Sequence, residues 1–184
     1  MRKVIVEAEI SLNGVSGSSA EDFWKQVFSY HSDDVDAFLS DLLFSADALL
    51  LGRKTYESFA EVWPMRQGKD ADKINQMPKY VASRSTKPPL AWNASLLEAD
   101  SAKHISAIKQ EKGGPLVQYG IGELTASMLR AGLVDEIQLL VYPFVYREAT
   151  DAFATIDAIK LKLLSTKTFK SGVVLLQYQP LSTD

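Results

Sequence analysis

Three short stretches of this chain place anion-holding groups at the end of an apolar run. In the first, Gly120-Ile121-Gly122 follows LVQY and leads into Glu123 and Leu124, where apolar residues take up helical spacing. A helix that begins on glycines leaves its first backbone N–H groups free, a seat for an anion such as a pyrophosphate. In the second, Gly52-Arg53-Lys54-Thr55 follows ALLL. Cations in a first helical turn oppose the helix dipole, and a phosphate there would offset them. In the third, Ser83-Arg84 closes KYVA, and arginine takes phosphate oxygens in pairs, a 2′-phosphate among them. Each stretch has a plainer alternative: a tight connection at the glycines, cations pointing into water at Arg53 and Lys54. The dinucleotide fingerprint is also incomplete, because its third glycine would fall at Thr125. What links the three is position. Ligands of open α/β sheets bind beyond the carboxyl ends of strands, so three such strand ends can share one crevice.

Other chemistries fit poorly. The chain has 184 residues and no cysteine, which excludes disulfides, thiolate nucleophiles and thiolate zinc sites. His31 and His104 are its two histidines, far apart and outside any metal-ligand motif, and both read as surface residues; no metal is expected. The phosphate loop G-x-x-x-x-G-K-[ST] is absent, and GVSGS is not a nucleophile elbow. A net charge of -3 with mixed signs argues against nucleic acid or an anionic membrane as partner. No apolar run approaches the roughly 18 residues of a membrane helix. The chain opens on a strand-like run rather than a signal peptide, so the expectation is a cytoplasmic protein.

The elements that must position these groups follow from periodicity. Val4, Ile5, Val6, Ala8 and Ile10 predict a strand buried on both faces. Asn13-Gly14 and Ser16-Gly17 predict a long loop, with Phe23, Trp24, Val27, Phe28 and Tyr30 as either a lid or the wall of a pocket for a flat substrate. Ser32 is placed to cap a helix with Asp33 and Asp34 in its first turn and Val35, Phe38, Leu39, Leu42 and Leu43 on one face. Strands are expected at 47–51, 79–83 and 96–97. Helices are expected from Arg53, with Phe59 and Val62 inward until Pro64, and over 101–112. Residues 65–77 read as a charged surface loop, and 146–159 carry no clear pattern. A strand over 136–145 and two strand-like runs about Ser171-Gly172 complete the chain. Strand and helix alternate and an antiparallel hairpin ends the chain, so the expected fold is a single α/β domain of three layers around a mixed sheet.

The segments SLNG, LLLGRKTYE, MPKYVASRS, QYGIGELTASMLRAGLVDEIQLLVYPFV and KTFKSGVVLLQYQP, in this order, resemble the dihydrofolate reductase-like superfamily. The chain is most similar to the reductase domain of the bifunctional riboflavin-biosynthesis deaminase-reductase and to its stand-alone bacterial relatives. That resemblance implies a mostly parallel mixed sheet of about eight strands and NADPH as cofactor. It puts the adenosine 2′-phosphate at Gly52, Arg53, Lys54, Thr55, Ser83 and Arg84. The pyrophosphate falls on the backbone of Gly120, Ile121, Gly122 and Glu123, with Leu124 behind, and the nicotinamide beside Leu12, Asn13 and Gly14. It also implies a homodimer.

Some residues depart from the family. Asn13 stands where the riboflavin reductases carry aspartate, and Tyr146-Arg147-Glu148-Ala149 replaces a glycine-rich turn. Asp33, Asp34 and Asp36 are the acids near the first helix, and which of them matches the pterin-holding carboxylate of a dihydrofolate reductase stays open. Without cysteine the zinc deaminase half is excluded. The function expected is hydride transfer from NADPH to a C=O or C=N bond of a small heterocyclic or ribosyl-pyrimidine-like substrate, as in a 5-amino-6-(5-phosphoribosylamino)uracil reductase. Trp24, Tyr30 and Phe38 are the expected substrate-side residues. No residue stands out as proton donor, so a bound water takes that part. The alternatives are a nucleotide-binding module without turnover and a dihydrofolate reductase-type activity.

Overall fold

The computed structural model describes residues 1–16, 21–147 and 151–181. Gly17, Glu148 and Ala149, named above, lie outside the described residues. Eight strands form one mixed sheet: β1 (Val4–Ser11), β2 (Ala48–Gly52), β3 (Lys79–Ala82), β4 (Ala94–Leu96), β5 (Leu116–Tyr119), β6 (Glu136–Tyr142), β7 (Leu161–Thr168) and β8 (Val174–Pro180). Their order is β4-β3-β2-β5-β1-β6-β8-β7. All pairings are parallel from β4 across to β6, and β8 and β7 are antiparallel. The mixed sheet and its C-terminal hairpin agree with the sequence.

Helices cover both faces. Val4, Val6, Ala8 and Ile10 point from β1 towards α5 (Ser101–Gln110) and α6 (Glu123–Arg130). Ile5, Leu49, Leu51 and Val117 point the other way, towards α2 (Asp33–Ser45), α3 (Arg53–Val62) and α4 (Lys69–Gln76). The period-two alternation of each strand thus feeds two cores, one on each side of the sheet. A third core joins α1 (Glu21–Ser29) to β6 and β8 through Phe23, Val27, Leu140 and Leu175. Among the described residues no helix is long and apolar enough to cross a membrane.

Several local expectations fail. Phe23 to Phe28 lie in a helix rather than a loop, because Phe23 and Val27, one turn apart, are both buried. The charged stretch after Met65 also contains a helix, α4, which buries only Ala71 and Ile74. Ser32 takes up the extended backbone of an N-cap, yet its hydroxyl bonds Asp34 Oδ1 at 2.7 Å instead of a backbone N–H. In α3 the buried side chain is Tyr56, while Val62 is exposed.

Candidate active site

Two features meet where β1 and β5 run side by side. Glu7 pairs in register with Tyr119, and the Gly120 N–H donates to the Glu7 carbonyl at 2.8 Å. One residue further along β5 the glycine turn begins. Gly120 has φ +82°, a conformation that side chains with a Cβ rarely adopt. The Gln118 amide holds the turn from beneath, donating to the Gly120 carbonyl at 2.8 Å and to Thr125 Oγ1 at 2.7 Å. Thr125 Oγ1 also accepts the Gly122 N–H at 3.2 Å. The N–H groups of Glu123 and Leu124, at the start of α6, find no acceptor among the described residues.

The other sequence-derived positions gather at the same end of the sheet. Strands β3, β2 and β5 are neighbours and parallel, so Ser83, Gly52 and Gly120 follow adjacent carboxyl ends. A Cβ on Gly120 would lie 3.9 Å from Thr55 Oγ1, which brings the first turn of α3 against the glycine turn. Arg53 and Lys54 are exposed there. The Arg53 guanidinium lies against the Glu57 carboxylate at 2.9 and 3.0 Å. Ser83 Oγ shares a hydrogen bond with Thr86 Oγ1 at 2.7 Å, and Arg84 is exposed. After β1, the Leu12 N–H donates to the Phe144 carbonyl, Asn13 ties to Tyr146, and Gly14 turns the chain at φ +80°.

Below this edge a cleft of about 590 Å3 opens on the face covered by α2, α3 and α4. Its walls carry Trp24, Phe28, Phe59 and Trp63. Its floor is polar, and sequence reasoning missed it. Glu7 and Glu9, two apart on β1, project to one face of one of the two central strands. The signal was present in VIVEAEI: two acids at i and i+2 inside a strand otherwise read as buried.

Burial, and then the Glu9 charge, hold the Glu7 carboxyl well above its ordinary range. Its Oε1 is buried without a hydrogen-bond partner. Glu9 is engaged instead, accepting the Tyr142 hydroxyl at 2.7 Å. His31, read from sequence as a surface residue, stands between Asp36 at 2.6 Å and Glu9 at 3.6 Å. The Glu9 contact foremost, and Asp36 as well, raise its pKa against the opposing effect of burial. Burial foremost keeps the Tyr119 and Tyr142 hydroxyls neutral.

Of the expected substrate-side residues, Trp24 lines the cleft and the other two do not. Tyr30 stacks on Phe144 and Phe38 packs on Phe169, both within the third core. Aromatic residues near a loop serve a core as readily as a pocket. Among the described residues no group of histidine and carboxylate side chains is arranged to hold a metal ion.

Comparison with known proteins adds to this geometry. The RibD C-terminal domain matches residues 2–175. The uncharacterized protein YyaP of Bacillus subtilis (strain 168) is 28% identical over 184 residues, 96% of this chain and 94% of the relative. A pyrimidine reductase-like protein from Corynebacterium diphtheriae has the same fold, with a TM-score of 0.69 at 13% identity over 99% of this chain and 93% of that one. Dihydrofolate reductase from Enterococcus faecalis, complexed with NADP(H), gives a TM-score of 0.64 at 14% identity over 98% and 97% of the two chains.

Proposed function

Because the chain belongs to the RibD C-terminal domain family, we propose that it is an NADPH-dependent reductase acting on a C=O or C=N bond of a small heterocyclic or ribosyl-pyrimidine-like substrate. The observation that carries this reading is the contact between cleft and glycine turn, with Tyr119 lining the first and Gly120 opening the second. A dinucleotide laid along the carboxyl edge of the sheet would bring its reactive end to the mouth of the cleft.

The residues fit the cofactor. The free N–H groups of Glu123 and Leu124 would take the pyrophosphate, and Ile121 and Gly122 would frame it. Nothing in the chain lies within 4 Å of a Cβ placed on Gly122 or Gly52, so a ligand can approach both turns closely. Arg53, Lys54, Thr55, Ser83 and Arg84 would surround the 2′-phosphate, while Leu12, Asn13 and Gly14 would border the nicotinamide. Bound NADPH supplies the hydride. The chain's own part is to position the substrate between flat walls and to hold a proton. Glu7, buried in the cleft floor with its carboxyl raised above its ordinary range by burial first and the Glu9 charge second, is the group we assign as proton donor.

A homodimer is part of the same proposal. It is supported by β7, the edge strand, which leaves Leu163 51% and Leu164 47% exposed.

The test is the thermal midpoint with NADPH and with NADH, followed by NADPH oxidation against candidate heterocycles. A ligand that binds only the folded chain, at about 100 times its Kd, adds roughly 2.7 kcal/mol. A shift with NADPH and none with NADH supports the reading. No shift with either returns the chain to a fold without this cofactor.

A further inference from the structure

Tyr119 on β5, Glu7 on β1, Gln138 on β6 and Gln177 on β8 are register partners in turn, so their side chains form one row across the cleft face of the sheet. Two oxygens in this row are buried without a hydrogen-bond partner among the described residues: Glu7 Oε1 and Gln138 Oε1. The residues that carry them are 3% and 5% exposed. Buried polar atoms in folded proteins nearly always find a partner. Two neighbouring acceptors that both lack one call for a donor between them.

Glu136 fixes the orientation of Gln138. The Gln138 Nε2 donates to Glu136 Oε1 at 2.7 Å. A carboxylate only accepts, so the amide nitrogen is the end that faces Glu136, and Oε1 is the free end. The neighbour on β8 is already engaged: Gln177 donates to Glu136 Oε1 at 3.0 Å and accepts the Ser165 hydroxyl at its own Oε1. Along β6 the adjacent side chains on this face are Glu136 and Leu140. Neither is a donor. That leaves Glu7, one strand away and in register.

Glu7 is equally short of partners. The titratable groups that share its cleft are Glu9 on its own strand, Tyr119 on β5, His31 and Asp36 around the start of α2, Arg66 before α4 and Asp70 within it. None of them bonds Glu7 Oε1. An ionised Glu7 would set a carboxylate against an amide oxygen, acceptor against acceptor. A protonated Glu7 supplies the donor that satisfies both orphans. Burial first, and the Glu9 charge second, favour that form independently.

We propose that Gln138 is a positioning residue for Glu7, its Oε1 accepting the Glu7 O–H while the cleft is empty. This rests on the reductase reading above, in which Glu7 is the proton donor. The last torsion of a glutamate side chain is soft, so a turn about it swings the O–H from Gln138 into the cleft. The proton then passes to the nitrogen or oxygen of the bond that has taken up the hydride, and Glu7 is left as a carboxylate facing the Gln138 oxygen. That pairing is unfavourable and draws the next proton from water back onto Glu7. Gln138 thus sets how tightly Glu7 holds its proton without touching the substrate.

Carbon-13 NMR of the full chain, labelled at the glutamate carboxyls, follows Glu7 through pH, with Glu7→Gln to assign its signal. Gln138→Met keeps the length of the side chain and removes the acceptor. It should weaken proton binding by Glu7 about tenfold, the worth of one hydrogen bond. Gln177→Met, one strand further out, should leave the Glu7 titration in place. In NADPH oxidation the alkaline limb of kcat/KM should move to lower pH in Gln138→Met by the same factor. An unmoved or strengthened Glu7 titration in Gln138→Met overturns the proposal, as does an equal change in Gln177→Met or a rate profile that stays put while the titration moves. If Gln138→Met does not fold, the unaltered chain decides: the Gln138 amide resonances must shift with the Glu7 midpoint, and a flat response overturns the proposal. The carboxyl titration needs no cofactor, so it can fail while an NADPH thermal shift leaves the reductase reading standing. No thermal shift overturns the reductase reading, and with it the role of Gln138 in the reaction.

Discussion

Asn13 clamps both main-chain groups of Tyr146: its Oδ1 accepts the Tyr146 N–H at 3.0 Å, and its Nδ2 donates to the Tyr146 carbonyl at 2.8 Å. The clamp ties the loop after β1 to the chain leaving β6. An aspartate, the residue the resemblance leads one to expect there, can accept but cannot donate. Asn13→Asp therefore keeps half the clamp and sets a carboxylate against a carbonyl. Its expected cost is about 1 kcal/mol in urea unfolding, and an unaltered midpoint would show that the clamp carries no weight.

Arg53→Ala is expected to weaken NADPH binding roughly tenfold to a hundredfold, since a charge-assisted hydrogen bond is worth about 1.5–3 kcal/mol. NADH, which lacks the 2′-phosphate, should bind unchanged. Stability should hardly move, because the partner lost is Glu57, one turn away on an exposed helix face. Equal loss for both cofactors would remove Arg53 from the 2′-phosphate site.

The two glycines of the turn predict opposite phenotypes. A side chain at Gly122 meets nothing within 4 Å, so Gly122→Val should fold with stability within about 0.5 kcal/mol of the original chain and fail to bind NADPH. Gly120→Ala must hold φ +82° and should lose about 1–2 kcal/mol. Thermal midpoints and NADPH titration of both variants separate ligand blockade from backbone strain.

Glu7 predicts a pH dependence. Its carboxyl titrates well above the ordinary value of 4.5, through burial first and Glu9 second. The folded chain therefore holds this proton over a pH range in which the unfolded chain has released it. The associated stability is whole below about pH 4.5 and is lost as pH rises towards the folded value, at about 1.4 kcal/mol per pH unit. Glu7→Gln should flatten that fall and be the more stable chain on the alkaline side. His31, whose pKa is also raised, adds a second decline that begins above about 6.5. Parallel curves for the variant and the original chain would show that Glu7 ionises freely.

Lys109 is buried against Asp135 and donates to the Leu133 carbonyl at 2.8 Å, while Asp135 also accepts the Val4 N–H at 2.7 Å. Asp135→Ala strands the lysine and frees the start of β1. We expect a loss of about 3 kcal/mol, the lower end for breaking a buried pair, because Asp135 keeps some solvent. Urea unfolding checks it.

Patterns with a strong period were legible in the sequence. The strand-end glycines, the apolar face of α2 and the hairpin after Leu161 are all local signals, and all were read correctly. What escaped depends on partners far away in sequence. The helix α4 buries one residue per turn in a charged stretch, so nothing in KDADKINQ outweighs its polarity. Glu7 sits in a strand whose neighbours are apolar, and only the packing of α2 to α4 around it reveals a cleft. His31 becomes functional in appearance only once Glu9, Asp36 and Tyr142 converge on it from three other elements.

The place of β1 at the heart of the sheet, between β5 and β6, has a consequence for synthesis. β1 is made well before it can be satisfied, since its partners begin at Leu116 and end at Tyr142. At the usual pace of translation it waits roughly ten seconds for them. Throughout that interval VIVEAEI, apolar at five of its seven positions, trails from the ribosome with both hydrogen-bonding edges open. A nascent chain built this way depends on being shielded while it grows, and its yield in the cell should follow chaperone supply more closely than its final stability.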